Sequence, residues 1–183
     1  VAYSDSQGPG TSGAGALMKL DIETGAWTDI SPSKASFGDV SVAADNPNHL
    51  MAVSMGLWWG QYWTGSTTWG DQIWISKNGG KTWTNLMESG RSTYSETKIK
   101  WMTSQCQLHW CGSAQIDPFN SSRAYFTSGN GMISTSNLWA TKPRFQFCST
   151  GLEETVPLNI VSVAGAPLAV TIGDYDGCLY PDV

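Results

Sequence analysis

Ser76-Lys77-Asn78-Gly79-Gly80-Lys81-Thr82-Trp83 is the most informative stretch of the chain. It follows the strand-like stretch Gln72-Ile73-Trp74-Ile75 and leads into another, Thr82-Trp83-Thr84-Asn85-Leu86. Asn tolerates a left-handed backbone, and its side chain bonds backbone amides two residues on. Gly79 and Gly80 take positive φ at little steric cost. An Asn-Gly pair between two such runs predicts a β-hairpin, with Trp83 folding back over the turn.

The same grammar runs through the chain. Residues 15–22, 27–30, 40–43, 50–55, 72–76, 82–86, 114–116, 124–128, 132–135, 155–161 and 168–172 read as strands between turn signals, and no segment holds a helical period for three turns. The expectation is an all-β protein. Ser41-Val42-Ala43-Ala44-Asp45-Asn46-Pro47-Asn48 resembles Ser113-Ala114-Gln115-Ile116-Asp117-Pro118-Phe119-Asn120. Each copy is a strand, a polar turn and a second strand, and a third strand follows each, at residues 73–76 and 133–136. The two Asp residues stand 72 positions apart, more than a minimal four-stranded repeat of ~40–50 residues. Residues 56–71 and 88–112 are therefore read as inserted loops, where binding sites are usually built.

Composition narrows the function. The chain has 183 residues, of which 14% are charged, with a net charge of −5. That argues against nucleic acid, which needs a basic face. No apolar run approaches the ~20 residues of a membrane span. Eight of the ten Trp lie between Trp58 and Trp110, among polar and Gly neighbours. Asn120-Ser121-Ser122 is an N-glycosylation sequon, and the Cys count is even: Cys106, Cys111, Cys148 and Cys178. With low charge and abundant Ser, Thr and Gly, these features point to a secreted protein. Four cysteines allow three pairings; Cys106–Cys111, closing a short loop, with Cys148–Cys178 is the preferred one. Zinc on Cys106, His109 and Cys111 is disfavoured, because the C-x-x-C spacing is missing and no fourth ligand is evident. Neither a metal nor a cofactor is expected.

The hairpin has the S-x-D-x-G-x-x-W form of an Asp box, with Asn78 in the Asp place, and resembles the hairpins of sialidase-like β-propeller blades. A more specific resemblance lies in Gly151-Leu152-Glu153-Glu154-Thr155, then Gly165-Ala166-Pro167-Leu168, then Ile172-Gly173-Asp174-Tyr175-Asp176-Gly177. Together with Tyr3-Ser4-Asp5-Ser6-Gln7-Gly8-Pro9-Gly10, Phe37-Gly38-Asp39-Val40, Trp58-Trp59 and Ile116-Asp117-Pro118-Phe119-Asn120, these motifs resemble the xyloglucanases of glycoside hydrolase family 74. The resemblance covers essentially the whole chain. It implies an internal segment, two to three propeller blades with no complete separate domain, of a protein with two seven-bladed propellers facing each other across a cleft. It also implies inverting hydrolysis of the β-1,4-glucan backbone of xyloglucan.

An inverting glycosidase uses one carboxyl to protonate the leaving oxygen and another, about 6.5–9.5 Å away, to activate water. The match to the family's Gly-Asp-x-x-Gly loop makes Asp174 the general acid. From the residues alone, Asp174 is a carboxyl after an apolar strand between glycines, which equally describes a turn Asp. Asp176 stands where the family often has Gly, and Cys178 where it usually has Phe. The family's general base lies in an Asp-Ile-Gly-Gly loop that this chain lacks, so no residue here takes that role and the segment alone is expected to be inactive. Trp58, Trp59, Trp63, Trp69, Trp101 and Trp110 are candidates for sugar stacking, since pyranose C–H faces pack on indole. His109 is either a sugar-hydroxyl partner or a satisfied loop histidine. Asp39 serves either the cleft or its own turn, the turn being preferred. Trp27, Trp74 and Trp83 read as structural. The rival class is an Asp-box propeller that binds glycans or proteins without catalysis. A sialidase is disfavoured, because Arg91, Arg123 and Arg144 do not suggest an arginine triad.

Overall fold

The computed structural model describes residues 1–5, 13–57, 70–95, 108–129, 131–149, 156–173 and 178–181. Among them every regular element is a strand, in chain order β1 (Ala2–Ser4), β2 (Gly15–Leu20), β3 (Trp27–Asp29), β4 (Phe37–Ala43), β5 (Asn46–Ser54), β6 (Ile73–Ser76), β7 (Thr84–Asn85), β8 (Thr93–Tyr94), β9 (Ala114–Ile116), β10 (Ala124–Ser128), β11 (Gly131–Thr135), β12 (Arg144–Phe147), β13 (Val156–Val161), β14 (Leu168–Gly173) and β15 (Cys178–Tyr180). They form four sheets, ordered β1-β2-β3, β4-β5-β6-β7, β8-β12-β11-β10-β9 and β13-β14-β15. The chain divides into two compact units, Val1–Gly151 with the first three sheets and Leu152–Val183 with the fourth.

The internal repeat is visible as two sheets built alike. β4, β5 and β6 of the second sheet correspond to β9, β10 and β11 of the third, each a run of antiparallel neighbours. Ser121 Oγ donates to Asp45 Oδ2 at 2.7 Å and so ties the two corresponding turns together. The first strands of the sheets also meet. Asp39 and Ser41 of β4 accept hydrogen bonds from the backbone N–H groups of Ala114 (2.9 Å) and Ile116 (2.9 Å) of β9. Asp39 is thus not a turn residue. It sits at a register shift in β4, and its carboxylate binds the edge of the next sheet, satisfying N–H groups that a sheet edge leaves unpaired.

The quoted stretch forms the expected hairpin. Gly79 and Gly80 have φ of 69° and 84°. Asn78 Oδ1 accepts from the Thr82 N–H at 2.9 Å and the Ser76 hydroxyl at 3.0 Å. The following strand starts at Thr84, two residues later than the alternation suggests, because residues up to Thr82 are held in the turn. A second hairpin repeats this chemistry without an Asn-Gly pair. Asn137 Oδ1 accepts from the Thr135 hydroxyl at 3.0 Å and the Arg144 N–H at 3.0 Å. Strands β1, β8, β12 and β15 also went unanticipated.

Period-two alternation places the second sheet between two cores. Met51 and Val53 of β5, with Ile73 and Ile75 of β6, pack against Ala114, Ile116, Phe126, Ile133 and Phe145 of the third sheet. Their neighbours Ala52 and Trp74 face the other way, onto Leu17 and Phe37. This double burial explains why β6 reads Ile-Trp-Ile-Ser rather than alternating apolar with polar. Trp74 is buried and Trp83 is half-buried, donating its indole N–H to the Ile30 carbonyl, which accords with structural roles. Trp27 is 49% exposed and makes no such anchor in the core.

Candidate functional site

The first inserted loop leaves and returns to the scaffold, and the second returns to it, beside one carboxylate, Asp71, which is fully buried. Its Oδ1 accepts from the Ser54 hydroxyl at 3.0 Å and the Leu57 N–H at 3.1 Å. Its Oδ2 accepts from the Cys111 N–H at 3.3 Å, and the Trp110 N–H also bears on the carboxylate. Its own N–H donates to the Leu108 carbonyl at 2.9 Å. One side chain therefore joins the start of the first insertion, its end, and the end of the second. Ser54 is held in turn, because its Oγ accepts from the Gln72 N–H at 2.7 Å. Burial pushes the Asp71 carboxyl up to about 6, against the opposing effect of its hydrogen bonds.

The returning segment around His109 and Trp110 is wedged between two glycines. A Cβ on Gly38 would meet the Cys111 carbonyl oxygen, and one on Gly129 would meet the His109 ring. The Gly129 N–H donates to the His109 carbonyl at 2.7 Å, and the Gly112 N–H to the Trp110 carbonyl at 2.8 Å. Within this clamp Trp110 has a φ of 55°, an unusual conformation for a bulky residue. The residue is 44% exposed, with the buried His109 ring set edge-on to its indole at 5.8 Å. Such backbone outliers persist only where the surroundings over-determine them, and they cluster at functional sites.

The structure brings His109 and Trp110 together at this root. Asp174, Trp58, Trp59, Trp63, Trp69, Trp101, Asp176 and Cys106 lie outside the described residues. So does the side chain of Cys178, whose backbone belongs to β15. Cys111 is buried and Cys148 half-buried in β12's continuation. Asn120 is exposed in the turn between β9 and β10, next to Phe119, which is 97% exposed. Among the described residues no three His, Cys, Asp or Glu side chains are gathered to hold a metal, and no helix is long and apolar enough to cross a membrane. The sequence carries one signal for Asp71: a carboxyl between a glycine and Gln72, just before the largely apolar strand Ile73–Ser76.

The chain matches no family model. It is 31% identical to xyloglucanase Xgh74A of Acetivibrio thermocellus, across 100% of this chain and 24% of that protein. It is 30% identical to a xyloglucanase of a Paenibacillus species, across 100% of this chain and 20% of that protein. Among solved structures it superposes on the GH74 enzyme of Niastella koreensis with a TM-score of 0.73 and 33% identity, covering 100% of this chain and 26% of that one. The chain thus spans about a quarter of the length of the curated relatives it matches. Over its whole length this chain is similar, in sequence and in fold, to enzymes of glycoside hydrolase family 74.

Proposed function

We propose that the protein carrying this chain hydrolyses the β-1,4-glucan backbone of xyloglucan with inversion, and that the chain supplies the general acid, Asp174. The observation that carries this reading is the match of the whole chain, in sequence to proteins named xyloglucanases and in three dimensions to a GH74 enzyme. In this reading the sheets are Asp-box propeller blades, about two to three of them, within a two-propeller protein of seven blades each. The meeting of β4 and β9, first strands of successive sheets, supports that arrangement. The remainder of the same protein supplies the general base and the other wall of the cleft. Trp58, Trp59, Trp101, His109 and Trp110 line the cleft, with the indole faces against pyranose rings. Asp174 protonates the departing glycosidic oxygen while the base takes a proton from the attacking water on the opposite face. The protein is secreted, carries a glycan on the exposed Asn120, and pairs Cys106 with Cys111 and Cys148 with Cys178.

The test is release of reducing sugar from xyloglucan, beside undecorated cellulose, by the protein from which this chain comes. Strong release on xyloglucan is the expected result. No release from intact protein would overturn the hydrolase reading in favour of a propeller that binds glycans without cleaving them.

A further inference from the structure

We propose that Asp71 is a positioning residue that holds the indole of Trp110 as a rigid platform for a backbone glucosyl ring; the inference rests on the xyloglucan reading above. Three observations converge on it. The Asp71 carboxylate is the common acceptor for the Leu57 and Cys111 N–H groups and for the Ser54 hydroxyl, so it ties both ends of the first insertion to the end of the second. Trp110 keeps its left-handed backbone at φ 55° only while its neighbours hold it, and the Cys111 N–H bound by Asp71 is the adjacent donor. Trp110 is 44% exposed, while His109 beside it and the close approaches at Gly38 and Gly129 leave that root no room to shift. A buried acceptor that meets several backbone donors and no substrate is a positioning device. An exposed aromatic ring on such a base stacks at little conformational cost, because its orientation is already set.

The test is a double-mutant cycle in the whole protein, with Asp71→Ala, Trp110→Ala and both together, reading KM and kcat on xyloglucan. Turnover by the unmutated protein comes first. Its absence overturns the substrate reading and leaves no xyloglucan platform to position. Given turnover, Trp110→Ala and Asp71→Ala are each expected to raise KM about tenfold with kcat nearly unchanged. The pair is expected to raise it no further than either alone, as for residues acting as one unit. Additive KM effects, or an unchanged KM in folded Asp71→Ala, overturn the proposal. If Asp71→Ala does not fold, Asp71→Asn, which keeps one acceptor oxygen, carries the same cycle. Asp71→Glu, which keeps the carboxylate, is expected to restore KM in part; a Glu variant no better than Ala also counts against it.

Discussion

The indole N–H of Trp83 donates to the backbone carbonyl of Ile30 at 2.7 Å. The two residues are 53 positions apart, and the bond anchors the hairpin of the second sheet to the end of the first. Gly80 brings the turn so close that a Cβ there would meet the Ile30 side chain, and its φ of 84° disfavours any other residue. The hairpin is thus a clasp between sheets as well as a turn. Trp83→Phe keeps the ring and removes the donor, leaving a partly buried carbonyl unpaired. We expect a loss of about 1–2 kcal/mol, read as a lower midpoint in urea unfolding of the whole protein with unchanged m-value. An unchanged midpoint would show that water replaces the indole at no cost.

The core between the second and third sheets makes a second prediction. Phe126 and Phe145 are fully buried and meet edge-on, 5.8 Å apart and inclined at 70°. Phe126→Ala is expected to cost about 3–5 kcal/mol, through lost burial and the cavity left behind. Phe119, 97% exposed in the neighbouring turn, is the internal control. Phe119→Ala is expected to stay within about 0.5 kcal/mol. Similar losses at the two positions would mean that Phe119 is covered by another part of the protein.

These two regions also show what the sequence makes legible. The hairpin at Asn78 was readable because its turn needs Asn and Gly for stated conformational reasons. Its twin at Asn137 was not, because the same side-chain bonds form there without Asn-Gly and the closing partner is Arg144, seven residues on. β12 was missed although Phe145 and Phe147 alternate cleanly; β1 and β15 are three residues long, and two-residue β8 exists only through its parallel pairing with β12. The site divides in the same way. Trp110 was legible as an aromatic ring in a long polar loop. Asp71 was not, because its role depends on N–H groups 14 and 40 residues away that only folding brings to it. The turn preferred for Asp39 over the cleft gives way for a related reason: its partner Ala114 is 75 residues distant.

Asp71 makes a pH prediction with a definite sign. Its carboxyl, with an ordinary value of 3.8, is raised to about 6 by burial, so the folded protein holds that proton more tightly than the unfolded chain does. The resulting stability is fully present below about pH 4 and is lost as pH rises through about 6. No charged side chain ranks among the causes of the shift; His109 and Cys111 are the titratable side chains in the segment packed on Asp71. Asp71→Asn cannot titrate. The stability of wild type minus that of Asp71→Asn is therefore expected to fall between about pH 4 and 6 and then level off. Urea midpoints across that range measure it, and repeating the series with His109→Gln in both proteins removes the histidine's titration. A difference that stays flat, or that rises with pH, would show Asp71 ionised throughout.

The last prediction concerns Asp174, placed in sequence between Gly173, where β14 ends, and Cys178, where β15 begins. A general acid matters only when the leaving oxygen needs a proton as its bond breaks. Asp174→Asn keeps size and polarity but cannot deliver that proton. Turnover on xyloglucan is expected to fall at least ~10²-fold, with the melting temperature and KM little changed, because the loss lies in the transition state. Two further readouts separate this role from a structural one. The basic limb of the pH–rate profile, which reports loss of the acid's proton, is expected to vanish in the variant. An oligosaccharide with an acidic nitrophenyl leaving group departs without protonation, so its cleavage is expected to be far less impaired than that of xyloglucan. Near-normal turnover of xyloglucan by the folded variant would remove Asp174 from the mechanism. An equal loss on both substrates would make it a residue that shapes the cleft and donates nothing.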